Sequence, residues 1–229
     1  MHVLSGGAAA AVVKAVQAEF EKSTHAQIIG TFSAVGAMHA KLLEGAPCDV
    51  VILTKPLIDQ LVTSGHVVPE SVRSLGKVRT GVAVRSGTPH PSVKTRAELH
   101  AAMSAAKAIY FPDPDMSTAG IHFMRVLKAL GLDESLRHKF RPFPNGATAM
   151  GEMGKSLESG LIGCTQVTEI NYTEGVTLVD VLPPEFELST DYTLGICTQT
   201  QDLTQAQLLV DLLAGSASAA VRQQGGFEF

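Results

Sequence analysis

The chain has 229 residues, 45% of them apolar and 17% charged, and a formal net charge of −4. That length supports one large domain or two lobes of ordinary size, with apolar residues enough for real cores. Acids and bases are interspersed, without a basic block or aromatic-basic stripe to track a phosphate backbone, and no apolar stretch of about 20 residues is present to span a membrane. Nucleic acid and membrane insertion are therefore not expected.

Short apolar runs alternate with longer helical patterns from the start. A strand at Val3-Leu4 is followed by a helix over 8–21, a strand over 27–32, a helix over 34–44, a strand at Val50-Val51-Ile52-Leu53 and a helix over 56–64. This alternation predicts a parallel α/β lobe. Within the first helix, Val12, Val13, Val16 and Phe20 fall on one face, the face that packs on a sheet. After Gly76, residues 78–85 read as a strand that opens a second α/β set. That set holds a strand at 108–111, helices over 118–130 and 147–159, and a strand at 161–164. A β-rich return at 192–197 precedes a final helix over 203–213, and this last segment is expected to rejoin the first lobe. The predicted division is lobe I from 1–80 plus 190–229, and lobe II from 81–189.

Cys48, Cys164 and Cys197 are odd in number, lie in apolar or strand-like runs and lack metal-ligand spacing, so they are expected to be buried thiols. Neither His-x-x-x-His nor a Cys/His cluster occurs, and no metal is expected. A phosphate-binding lysine motif, a GxGxxG run and a GxSxG elbow are also missing, and no cofactor is expected. Met1 is followed by His2-Val3-Leu4-Ser5, without a charged region, an apolar core or a cleavage site. The expected location is the cytoplasm if Met1 is the native start, and the periplasm if a leader has been removed.

Four loops share one pattern, in which a strand ends, a run of small or polar residues follows, and a helix begins. They are Ser5-Gly6-Gly7-Ala8, Ser33-Ala34-Val35-Gly36, Asp115-Met116-Ser117-Thr118-Ala119-Gly120 and Pro144-Asn145-Gly146-Ala147-Thr148. Helix starts leave N–H groups unpaired and carry partial positive charge, and small residues let an anion approach the backbone. Any α/β protein has such loops, and most are simply caps. Two from each half of the chain make the stronger case, because ligands of open α/β sheets sit beyond the carboxyl ends of the strands.

Several of these stretches carry a family resemblance. The N-terminal strand, small-residue loop and helix ending at Phe20, then Phe32-Ser33-Ala34-Val35-Gly36, then Glu44-Gly45-Ala46-Pro47-Cys48-Asp49-Val50-Val51-Ile52, resemble the periplasmic molybdate-binding proteins of ABC importers, a branch of the type II solute-binding proteins. Asp113-Pro114 with Ala119-Gly120, and Asn145 with its following helix, fall where that family has second-lobe ligand loops. The resemblance implies a two-lobed α/β fold with crossover strands, a cleft between lobes that close on a small anion, and an ABC permease as partner if the chain is exported.

The family's usual ligand groups are replaced. Its two first-lobe serines align with Ala8 and Val35, and its second-lobe tyrosine with Gln166; a slip in that alignment brings Ser5 or Ser33 in instead. With three hydroxyl donors gone, each hydrogen bond worth about 0.5–1.5 kcal/mol or more to a charge, molybdate is expected to bind poorly. Lys55, Arg79, Tyr110, Ser117, Thr118, Asn145, Gly146, Thr148, Thr165, Gln166 and Thr168 suggest a larger organic carboxylate, with arginine suited to a carboxylate fork. The competing account is a solvated charge for Lys55 and Arg79, and a core ring for Tyr110.

The same family also resembles aconitate isomerase, whose allylic proton shift needs a carboxylate clamp and a base but no cofactor. On that reading His122, Glu169 or Asp113 supplies the base. Each has a plainer account, with His122 packed against a sheet, Glu169 a cap or surface acid, and Asp113 forming a turn between Pro112 and Pro114.

Overall fold

The periodicities above build two α/β units. The computed structural model describes all residues from Met1 to Phe229, and they divide into Met1–Val78 with Thr190–Phe229 as unit 1, and Arg79–Ser189 as unit 2. The α/β, two-lobed class expected from the sequence is the class observed. No helix is long and apolar enough to cross a membrane.

Unit 1 begins with β1 (His2–Gly6), α1 (Ala10–Thr24), β2 (Ile29–Ser33), α2 (Val35–Leu43), β3 (Val50–Thr54) and α3 (Lys55–Thr63), then enters β4 (Arg73–Arg85). In unit 2 the chain forms α4 (Arg96–Ala105), β5 (Ala108–Pro112), α5 (Thr118–Ala129), β6 (Phe140–Phe143), α6 (Gly146–Lys155), β7 (Leu161–Gln166), α7 (Val167–Asn171) and β8 (Val176–Val181). It returns along β9 (Ser189–Ile196) and ends with α8 (Leu203–Ala214), α9 (Ala219–Gly225) and β10 (Phe227–Glu228).

In unit 1, β1 lies between β2 and β3, parallel to both, and β9 runs antiparallel to β3. β3 is buried along its whole length, which is why its apolar run is continuous rather than alternating. Val12, Val13, Val16 and Phe20 of α1 are all in the core, as their spacing predicts. The C-terminal segment is fastened by Arg222, whose guanidinium donates to the carbonyls of Leu75, Ala214 and Gly215 and to the Ser218 hydroxyl.

In unit 2, β4 lies between β7 and β8, antiparallel to both, while β5 is parallel to β7 and β6. One core cluster gathers Leu99, Met103, Phe111, Phe123 and Leu127. A second holds Ala149, Met150, Met153 and Ile170. Six elements escape the periodicity reading: α4, β6, α7, β8, α9 and β10. Most are short, but α4 carries a Thr95/Glu98 capping box, a readable start signal. The expectation of three buried thiols needs correcting, since Cys164 and Cys197 are buried while Cys48 is half-exposed at the end of a loop.

Candidate anion-binding site

In unit 1, two of the marked loops leave the sheet side by side, because Gly6 at the end of β1 is paired with Ser33 at the end of β2. The first passes through a 3-10 turn, Gly7–Ala9, before α1, and no side chain caps it. The second enters α2 with Ala34 at the N-cap, which has no side-chain acceptor to offer. The first ladder bond there runs from the Met38 N–H to the Ala34 carbonyl at 3.0 Å, leaving the N–H groups of Val35, Gly36 and Ala37 outside the helix ladder. Gly6 is required for this approach. A β-carbon there would lie 2.7 Å from Val35 Cγ1 and 3.2 Å from the Tyr192 ring.

The hydroxyl of Ser5 is buried and donates to the Gly6 carbonyl at 2.8 Å, so it is already committed within the chain. Ser33 is half-buried at the end of β2. Ala8 and Val35 are buried and bring no polar group. Lys55 does not join them: its ammonium pairs with Asp59 one turn along α3 at 2.8 Å, with both side chains more than half exposed. Such a pair contributes little to stability.

In unit 2, the loop after β5 is shaped by Asp113, whose Oδ1 accepts from the N–H groups of Asp115 and Met116 at 2.8 and 2.9 Å. Ser117 is the N-cap of α5, buried, and its hydroxyl makes no capping bond. Thr118, Ala119 and Gly120 form the open first turn. At Gly120 a β-carbon would meet the Asp113 carbonyl oxygen at 2.1 Å, so helix and loop touch only because the side chain is missing.

The loop before α6 is different, because its anion seat is already filled. Asn145 Oδ1 accepts from the Thr148 N–H at 2.8 Å. The Glu169 carboxylate, from α7, accepts from the N–H groups of Gly146, Ala147 and Gln166 and from the Thr165 hydroxyl at 2.6 Å. Glu169 is only 7% exposed. Burial raises its pKa above the usual carboxylate value, and these hydrogen bonds only partly offset that. A β-carbon on Gly146 would fall 1.9 Å from the Thr165 hydroxyl oxygen and 2.1 Å from Glu169 Oε2.

The other marked residues sort by contact. His122 Nε2 donates to the Phe186 carbonyl at 2.8 Å. Tyr110 stacks on Phe143 with ring centroids 5.8 Å apart. Arg79 is half-buried on β4. Gln166 is buried at the end of β7, paired in register with Thr80. Close by, the hydroxyls of Thr80 and Thr168 are fully buried without a hydrogen-bond partner in the chain, an arrangement native proteins rarely leave unused. Thr80 and Tyr192 were not marked by the sequence. Strand register brings Thr80 beside Gln166, and the Tyr192 ring packs against Gly6 from β9.

Residues 1–228 match the family of bacterial extracellular solute-binding proteins, and the chain belongs to that family. An aconitate isomerase from Pseudomonas sp is 27% identical over 234 residues, which take in 100% of this chain and 87% of that enzyme. Among solved structures, the periplasmic molybdate-binding protein of Azotobacter vinelandii superposes with a TM-score of 0.81 at 15% identity, covering 100% of this chain and 99% of its own. The sulfate-binding protein SubI from Mycobacterium tuberculosis H37Rv gives 0.73 at 17% identity, over 99% and 85% of the two chains.

Proposed function

We propose that this chain binds a small organic polycarboxylate rather than molybdate. One observation carries the proposal: the marked helix starts at α1, α2 and α5 have no side-chain cap, while α4, α6 and α8 are capped by Thr95, Asn145 and Asp202. α3, α7 and α9 are also uncapped, but Pro56 removes one donor of α3, α7 has only five residues, and α9 continues directly from a 3-10 turn. The open starts offer backbone N–H groups and positive potential to an anion. The partnerless hydroxyls of Thr80 and Thr168 are further donors in unit 2. Ala8 and Val35 stand where the molybdate-binding family has serine, so two hydroxyl donors for a tetrahedral oxyanion are missing.

A second reading is favoured by the relative of 27% identity, which spans the whole chain. On that reading the chain isomerises a small unsaturated polycarboxylate of the aconitate class by an allylic proton shift. The difficulty is the base. His122 is tied through Nε2 to Phe186, Asp113 caps a turn, and Glu169 fills the α6 start. Binding is therefore the primary reading.

A thermal-shift panel with molybdate, tungstate, sulfate, citrate, cis-aconitate and trans-aconitate tests both, since a ligand raises stability by RT ln(1 + [L]/Kd). Stabilisation by the tricarboxylates is expected; strong stabilisation by molybdate alone would sink the proposal. Proton NMR of the protein with each aconitate isomer then separates the readings. Interconversion would replace simple binding with catalysis.

A further inference from the structure

The three cysteines differ in their surroundings. Cys164 is enclosed in the core of unit 2, and burial pushes its thiol above the usual range. Cys48 and Cys197 both lie in unit 1, on chain segments separated by the whole of unit 2, yet they meet. Val50 and Ile196 are partners in the antiparallel β3 and β9 ladder. One step further, the Cys197 N–H donates to the Asp49 carbonyl at 2.8 Å, so Cys48 stands one residue beyond the position opposite Cys197. With strands about 4.8 Å apart and a rise of about 3.4 Å per residue, that offset separates the α-carbons by about 6 Å, within the range a disulfide spans.

Cys48 Sγ donates to the Val50 carbonyl at 3.4 Å, and the two thiols are close enough to interact. That contact and burial both raise the Cys197 thiol above its usual value. Cys197 is 4% exposed, but both sulfur-bearing residues line a small cavity of about 30 Å³ together with Gly45, Ala46 and His66. Cys48 therefore has the better access to a reagent, and Cys197 is already placed to resolve an adduct.

We infer that Cys48 and Cys197 form a site of reversible disulfide formation through exchange with small-molecule disulfides. The Cys48 thiolate attacks one sulfur of the reagent, forming a mixed disulfide and releasing one thiolate. Cys197 then loses its proton to solvent and attacks Cys48 Sγ, expelling the second thiolate. Two protein thiols are oxidised and one small disulfide is reduced to two thiols. The new bond joins the two stretches that make unit 1, closing a loop that contains all of unit 2. A cross-link over so long a loop restricts the unfolded chain and stabilises the fold.

The test uses the full chain, first reduced and then equilibrated with oxidised glutathione, acid-quenched, alkylated in denaturant and digested for mass spectrometry. A peptide pair linked through Cys48 and Cys197 is expected, with Cys164 alkylated and the link lost on adding dithiothreitol. The oxidised protein should also unfold at higher urea concentration than the reduced protein, while the Cys48→Ser variant gives one midpoint under both conditions. Alkylation of all three cysteines would overturn the inference. So would glutathione retained on Cys48 beside an alkylated Cys197, or a link that involves Cys164.

Discussion

Glu169 offers the sharpest test of how unit 2 holds a carboxylate. Replacing it with alanine strips the acceptor from three backbone N–H groups and from the Thr165 hydroxyl. Buried donors left unpaired cost about 1–3 kcal/mol each, and with partial relaxation or an entering water the total should be about 3–5 kcal/mol. The Glu169→Gln variant keeps the shape and one acceptor oxygen but turns an amide toward backbone donors, for about 1–3 kcal/mol. The pH dependence is the more demanding readout. Because the folded-state pKa is raised, the contribution of Glu169 is fully present below about pH 4.5, its unfolded value, and is lost as pH climbs through the folded value. The slope cannot exceed about 1.4 kcal/mol per pH unit for one proton. Urea unfolding of wild type and Glu169→Gln between pH 4 and pH 9 should therefore show their difference shrinking as pH rises and then levelling. A difference that grows with pH would refute the reasoning, since it would mean the α6 start stabilises the charge by more than burial costs.

The remaining predictions concern the helix starts. Gly146→Ala forces a β-carbon onto Thr165 and Glu169, and should lower stability by at least about 3 kcal/mol in urea unfolding through overpacking and loss of the buried bonds. Changing Ala8 and Val35 together to serine should raise molybdate affinity by roughly 2- to 10-fold per hydrogen bond gained, read by calorimetry; no gain would mean these positions do not face the ligand. Ser117→Ala removes a hydroxyl that makes no capping bond, so it should leave the urea midpoint nearly unchanged while weakening tricarboxylate binding about 2- to 10-fold.

Much of the fold was legible because its signals are local. The face formed by Val12, Val13, Val16 and Phe20 repeats at helical spacing, and the buried strand Val50–Thr54 is a short apolar run bounded by polar residues. The signals that failed were short or weak. α7 has five residues, β6 is interrupted by Pro142, and α4 is rich in alanine, so its core contacts through Leu99, Ala102 and Met103 stand out only once it is folded. The marked loops were found as a pattern of small residues before helices. What the pattern could not convey is which starts were already occupied. Asn145 reads as a cap and Glu169 as an ordinary acid, separated by 24 positions, and only packing of α7 against α6 brings the carboxylate to Gly146. Lys55 failed for the opposite reason: Asp59 four residues on was visible throughout, and the helical spacing makes that pair the nearer use of the charge.

The filled start of α6 also bears on what the open ones are suited to hold. There, unit 2 holds a carboxylate with backbone N–H groups, a threonine hydroxyl and a glycine without which the carboxylate would have no room. The start of α5 has parts of the same kind: a buried serine hydroxyl with no capping bond, a first turn of Thr118 and Ala119, and a glycine in van der Waals conflict with any side chain. The difference is that the N-cap side chain makes no bond to it. A carboxylate accepts several donors along its two oxygens, so backbone N–H groups and one hydroxyl suffice. A tetrahedral dianion has four oxygens to satisfy and draws on more hydroxyls than Ala8, Val35 and Gln166 provide. Under the proposed function, donor count at the open starts suits a carboxylate better than a tetrahedral oxyanion.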